Sequence, residues 1–334
     1  MNALLDDIHR ELSAGRVVAV ATVVATRGSS PRKPGAMLAV HEDHSVVGSI
    51  SGGCVEGALY ETALEVLAGG AARIENYGPE GDLIAPGLTC GGSLSVLVEL
   101  VDVRSRTFVD VLHRAIHAER PIVSESVLSE DGQVRHRIIT DEGQQTGLTK
   151  SGAFVHRFDP RPRMVIIGST DFAAETGRLG NRLGFRVTVC DARPVFTTRA
   201  RFPDVDEVMC EWPSDWVARE RAGGGFDSRS VFIVLTHDPK IDVPVLVECL
   251  DHGRWSDPPA YVGALGSATA DANRRRDLRN AGITTSQLES LHSPIGFAIG
   301  NQGPAETAVA IAAEIISSRR NAYSTATYVD QNNL

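Results

Sequence analysis

Residues 163–191 read RMVIIGSTDFAAETGRLGNRLGFRVTVCD, and the fold of the second half of the chain turns on them. MVII is an unbroken apolar run, which fits a buried strand. Gly168 follows it, and the helical stretch DFAAETGRLGNRLG begins at once. FRVTVCD is a second strand that closes on Asp191, about 20 residues beyond the glycine. A nucleotide-binding βαβ unit has this layout. Glycine permits the tight turn, helix amides face a pyrophosphate, and the acid accepts from ribose hydroxyls. The glycine pattern is incomplete, because the turn reads G-S-T-D-F-A. Thr170 stands where a second glycine would let the backbone come close. Ala173 suits close helix packing. Asp171 suits the helix dipole but repels a pyrophosphate. Two readings stay open: NAD(P) binding, or a scaffold whose cleft holds something else or nothing.

Further short apolar runs follow in DEVMC, SVFIVLT and AYVGALG, with helical patterns in VPVLVECLDHG and DANRRRDLRNAG. The helix GPAETAVAIAAEIISSRR opens with Pro304 at its first position. This alternation predicts an α/β fold, a Rossmann-like doubly wound parallel sheet. Ligands of such sheets bind at the carboxyl edge of the strands. His237 and Asp238 fall there, as a candidate acid–base pair or as a histidine satisfying loop carbonyls. Gly266 and Ser267 would line the same edge and could receive an anion at the next helix. Asp191 could hold a ribose or cap the turn after it. The RRR run at 274–276 reads as a solvated helix face. Cys190, Cys210 and Cys249 read as packing residues.

The first half mixes helices and strands without regular alternation, which predicts an α+β domain. MNALLDDIHRELSAG is an amphipathic helix. Val17–Ala25 reads as a buried strand, AMLAV and SVVGSI as a hairpin around HEDH at 41–44, and that tip as a solvated turn. CVEGALYETALEVLAGG is helical, GLTCGGSLSVLVELVD feeds a strand, and TFVDVLHRAIHAE is another helix. Residues 121–140 form a hairpin with EDGQ at the turn. The polar, weakly patterned stretch 142–162 marks the boundary, giving domains at 1–150 and 160–320 and a polar tail at 321–334.

SISGGCVEG, residues 49–57, holds the main chemical candidate. Cys54 stands where a glycine turn meets a helix, and the helix dipole there favours a thiolate. Gly52 and Gly53 would let a ligand approach and leave their amides available. A thiolate is a soft ligand for molybdenum or copper. The alternative is a small residue packing the helix on the hairpin. Cys90 in GLTCGG has similar flanks but opens a strand; it could share a metal with Cys54, or be a packing residue. Arg27, Ser29, Ser30, Arg32 and Lys33 form a polar loop suited to phosphate, or an ordinary turn.

The chain has 334 residues, 42% hydrophobic and 22% charged, with a net charge of −9. That is ordinary globular composition, and the acidic balance argues against a general nucleic-acid binder. No stretch approaches the ~20 apolar residues of a membrane span. The N-terminal helix lacks the basic start of a signal peptide. Five cysteines without a CxxC suit a reducing cytoplasm better than a disulfide framework.

GSSPRKPGAMLAV, GSISGGCVEGAL and GLTCGGSLSVLVE resemble the N-terminal motifs of the XdhC/CoxI family. VTVCDARPVF, VLTHDPKIDVPVL, YVGALGS and SPIGFAIG…PAETAVAIAAEII resemble its C-terminal Rossmann-like domain. The resemblance implies an accessory protein of xanthine dehydrogenase and related molybdenum hydroxylases. It implies binding of molybdenum cofactor (molybdopterin), support of its sulfuration, and transfer to an apo-hydroxylase. A cysteine desulfurase as a further partner and a homodimer are expected beside it. Cysteine as cofactor holder carries onto Cys54 and Cys90. The closing motif departs from the family pattern, with Ala298 for an Asp and Gln302 for an Arg. An NAD(P)-dependent oxidoreductase is the rival reading.

Overall fold

The computed structural model describes residues 2–30, 32–78, 91–140, 143–300 and 303–327, leaving aside the side chains of residue 2 and residues 320–327. Cys90, Gln302 and the tail beyond Thr327 lie outside the described residues. The chain divides into two compact units, Met1–Pro160 and Arg161–Leu334.

In the first unit, α1 (Asn2–Ser13) precedes β1 (Val18–Arg27), β2 (Met37–His41) and β3 (Val46–Gly48). Then come α2 (Glu56–Leu67), β4 (Arg73–Tyr77), β5 (Ser93–Val101) and α3 (Arg106–His117). The strands form an antiparallel sheet in the order β3-β2-β1-β5-β4. β1 is central and buried on both faces, which explains its unbroken apolar run. Ala19, Ala21 and Val23 face Leu59, Ala63 and Val66 of α2. Val18 and Val20 face Leu5 and Leu12 of α1 and Leu112 of α3. A bulge between Val23 and Ala25 shifts the register against β5.

A second antiparallel sheet holds β6 (Ile122–Leu128), β7 (Val134–Ile139), β8 (Gly147–Leu148) and β9 (Phe154–Phe158), in the order β7-β6-β9-β8. The stretch 142–162, read from sequence as weakly patterned, therefore contains two strands. Phe154, Val155 and Phe158 are buried, and so is His156, whose imidazole burial pushes down to about 4. The hairpin tip also differs from expectation. Glu42, Asp43 and His44 are exposed, but His41 is buried with Nε2 2.7 Å from Asp7 on α1.

The second unit holds β10 (Arg163–Ile167), α4 (Asp171–Arg182), β11 (Arg186–Cys190), β12 (Glu207–Met209) and α5 (Pro213–Ala222). It continues through β13 (Val231–Val234), α6 (Pro239–Leu250), β14 (Tyr261–Ala264), α7 (Ala268–Asn280), α8 (Thr285–Glu289), β15 (Leu291–His292) and α9 (Pro304–Thr327). All strand pairs are parallel, in the order β12-β11-β10-β13-β14-β15. One face packs Phe232 and Val234 against Val245 and Leu246 of α6 and Leu278 of α7. The other packs Ile166 and Val187 against Ala173 of α4 and Ile311 and Ile315 of α9. This is the expected doubly wound architecture. Chain order reverses between β10 and β13, which places the crevice of such folds there. α9 runs through the first residues of the segment read as a tail. Among the described residues no helix is long and apolar enough to cross a membrane.

Candidate functional site

The link from β3 to α2 carries Cys54, and its shape follows from two anchors. Ile50 and Val55 are fully buried, so the chain between them must arch outward. Gly52 and Gly53 form the arch with φ of 78° and 123°, in space where a Cβ would meet nothing within 4 Å. The arch is organised from below by Glu56, the first residue of α2. Its Oε1 accepts from the amides of Ile50 (3.3 Å), Ser51 (2.8 Å) and Gly52 (2.8 Å), and from the Ser49 hydroxyl (3.0 Å). Its Oε2 accepts from the Gly53 amide (2.8 Å) and the Ser51 hydroxyl. Partial burial opposes ionisation of Glu56. The hydrogen bonds from Ser51, Gly53 and Ser49 outweigh it and hold the carboxyl well below its ordinary range.

The sequence reading left the Gly52 and Gly53 amides open to a ligand, and that expectation is corrected here. Both donate inward to Glu56. The physical reason is that a carboxylate in the first helical turn, facing a run of unpaired amides, captures them before any external anion can. The soft donor that this arch carries is the Cys54 side chain, which is in no disulfide. It is half-buried and leans on the core formed by α2 and the first sheet. Packing and reachability are therefore both properties of this residue.

Two clefts are lined in part by the loop after β1. One, of about 510 Å³, brings Arg32 and Lys33 to Gly48 and Ser49, where the Cys54 arch begins. The other, of about 700 Å³, is lined by Arg27, Gly28, Tyr77, Gly91 and Gly92. Here the loop after β1 and the glycines after Cys90 pack backbone to backbone. A Cβ at Gly92 would lie 2.1 Å from the carbonyl oxygen of Ser29. The structure thus joins Arg27 and Ser29 to the GG of the GLTCGG motif. Arg27 and Ser29 are exposed, whereas the Ser30 hydroxyl donates to Arg32 O at 2.9 Å, closing its own turn.

In the second unit, Gly168 stands at φ 111°, and a Cβ there would lie 2.5 Å from Thr236 Cγ2 on the neighbouring loop. Glycine is required by this close approach of the loops after β10 and β13. Thr170 caps α4, accepting from the Ala173 amide at 3.2 Å. Asp171 is paired with Arg201 at 3.3 Å. Asp191 is fully buried. Its Oδ2 accepts from the Ser169 amide (2.7 Å) and Arg193 Nη2 (2.7 Å), and its Oδ1 from Arg193 N (2.9 Å) and Nε (3.0 Å). Of the two roles open to Asp191, the geometry supplies the turn cap.

His237 and Asp238 are exposed at the carboxyl edge, with Asp238 capping α6 through the Lys240 amide (3.0 Å). Ser267 caps α7. Gly266 lies over Arg274, whose guanidinium a Cβ there would approach to 3.5 Å. Arg274 was read as part of a solvated face and is instead buried. It reaches Asp242 (3.3 Å), Leu265 O (2.7 Å) and Ser293 Oγ (3.0 Å). Arg275 spans to Leu288 O and Leu291 O, so only Arg276 of the three is exposed. Cys190 and Cys249 are buried as packing residues. Burial pushes the Cys190 thiol up to about 12. Cys210 is exposed, contrary to expectation.

Comparison with known proteins adds a second line. Residues 11–78 match the model of the XdhC and CoxI family, and residues 164–315 match the XdhC Rossmann domain. The chain belongs to the XdhC/CoxI family. The first match contains the whole Cys54 arch with Glu56, and the second contains Gly168, Asp191, His237 and Arg274. A Bacillus subtilis (strain 168) relative, named as a probable xanthine dehydrogenase component, is 26% identical over 96% of each chain. The Escherichia coli (strain K12) molybdenum cofactor insertion chaperone PaoD is 26% identical, over 95% of this chain and 91% of its own. A crystal structure described as a xanthine dehydrogenase from Bacillus halodurans superposes with a TM-score of 0.77 at 27% identity, covering 96% of each chain. Within this family framework, Glu56 and Arg274 are the structural residues that sequence reasoning missed. The signal for Glu56 was present, as an acid in the first helical turn just after a serine- and glycine-rich run.

Proposed function

We propose that this chain is an accessory protein that carries molybdenum cofactor to the apoenzyme of a molybdenum hydroxylase of the xanthine dehydrogenase type. The Cys54 sulfur holds the cargo. One observation carries the reading: a half-buried thiol stands on an arch fixed by Glu56, inside the segment matched by the XdhC and CoxI family model. The donor chemistry fits the cargo. Thiolate is a soft ligand suited to molybdenum, and the open space over Gly52 and Gly53 admits a bulky group. Arg32 and Lys33 at the foot of the arch, and exposed Arg27 in the neighbouring cleft, suit the cargo's phosphate. The role proposed matches the name of the relative PaoD. NAD(P) turnover draws no comparable support, because Asp191 and Thr170 are engaged within the chain.

Expression in a host that makes molybdopterin, followed by anaerobic purification under reducing conditions, tests this. Wild-type protein is expected to retain pterin, detected after oxidation by its fluorescence. Cys54→Ser is expected to lose it, and Cys210→Ser, at an exposed thiol of the other unit, to keep it. Equal retention by wild type and Cys54→Ser would refute the assignment.

A further inference from the structure

Three histidines and two aspartates gather where α1 and α3 pack together, and none of them belongs to the candidate site above. His113 and His117 are one helical turn apart on α3 and share a face. Asp6 comes from α1. Its Oδ1 lies 3.2 Å from His113 Nε2 and 2.6 Å from His117 Nε2. Two imidazole nitrogens thus converge on a single carboxylate oxygen. His9 stacks on His113, with ring centroids 4.0 Å apart and planes 9° apart, and its Nε2 reaches Asp110 at 3.2 Å. Asp110 also faces Arg106 at 3.9 Å, so it is neutralised from its own surroundings. The side chains of Asp6, His113 and His117 are 43%, 23% and 50% exposed, so an ion can reach them from solvent.

We infer that Asp6, His113 and His117 form a binding site for a first-row divalent transition metal, matched to zinc, that ties α1 to α3. Two imidazoles and a carboxylate are a common ligand set for this class of ion, and a solvent molecule completes the tetrahedron. Bond lengths of about 2.0–2.2 Å at tetrahedral angles need ligand atoms about 3.3 Å apart. His113 already stands at that distance from Asp6. His117, at the exposed end of its helix, needs to withdraw by well under 1 Å. Both ligand-bearing elements are helices packed into the core of the first unit, so the set is preorganised. The site is independent of the cofactor-carrier reading.

The test uses untagged full-length protein stripped with chelator, titrated with Zn²⁺ by calorimetry and with Co²⁺ by absorption. One equivalent of metal is expected per chain. The Co²⁺ form should show ligand-field bands without thiolate charge transfer. Zn²⁺ at 100 times its Kd should raise the melting temperature by about 5–10 °C. Asp6→Asn and His117→Asn are expected to keep the fold by circular dichroism, keep pterin retention, and lose uptake, the Co²⁺ spectrum and the thermal shift. No uptake by wild type, undiminished uptake by both variants, or a thiolate–cobalt band would each overturn the inference.

Discussion

Arg274→Ala is expected to lower the unfolding free energy of the second unit by about 3–5 kcal/mol, the cost of breaking a buried ion pair by removing one partner. Arg274 and Asp242 are only 6% and 5% exposed in their side chains. Removing the guanidinium leaves the buried Asp242 carboxylate with the Thr236 hydroxyl as a hydrogen-bond donor but without its ion-pair partner. Burial already raises the carboxyl of Asp242 against the counter-effects of Thr236 and Arg274. The carbonyl of Leu265 and the hydroxyl of Ser293 lose a donor at the same time. Trp212, Trp216 and Trp255 all lie in this unit, so tryptophan fluorescence during urea unfolding reports on it alone. The double variant Arg274→Met with Asp242→Leu is expected to recover most of the loss, because an apolar pair of similar volume leaves no charge stranded. A loss under about 1 kcal/mol for Arg274→Ala would contradict the buried pairing.

Glu56→Ala carries the second large effect, a loss of about 3 kcal/mol from the first unit. That is the worth of one or two charge-assisted hydrogen bonds. The carboxylate serves more donors than this, but water can reach the exposed amides of Gly52 and Gly53 once it is gone. Hydrogen exchange at residues 50–53 should accelerate in the variant, and pterin retention should fall, because the arch no longer fixes Cys54. The effect depends on pH with a defined sign. The folded carboxyl lies below its ordinary value of 4.5, so its stabilisation is complete above pH 4.5 and fades as pH falls through the folded value. The stability gap between wild type and Glu56→Gln is therefore expected at neutral pH and should close in acid. A gap that widened on acidification would reverse the assignment.

The parts of the fold visible in the sequence are those where local pattern and burial agree. β10 and β11 are buried on both faces, so MVII is wholly apolar, VTVC is interrupted only by the β-branched Thr188, and both read directly as strands. β9 hides because FVHRF places a histidine inside the core and an arginine beside it, within a stretch rich in glycine and proline. α5 hides because only Pro213, Trp216 and Val217 of its ten residues are buried, too few to mark a period. Arg274 could not be separated from Arg275 and Arg276 by composition, since three adjacent arginines point to different sides of a helix. Cys54 was legible as a thiol at a glycine turn. The competition for its neighbouring amides was not, because that depends on where the Glu56 side chain folds back. Asp191 shows the same limit: an acid at a strand end suits a ribose, and the Arg193 two residues later claims it.

The central claim is a bond between the Cys54 sulfur and the metal of the cargo. Molybdenum K-edge X-ray absorption of the purified wild-type protein–cofactor complex tests it most directly, compared with the same cofactor free in solution. The account predicts one sulfur neighbour of molybdenum more in the complex than in the free cofactor. Identical sulfur shells in the two samples would contradict it.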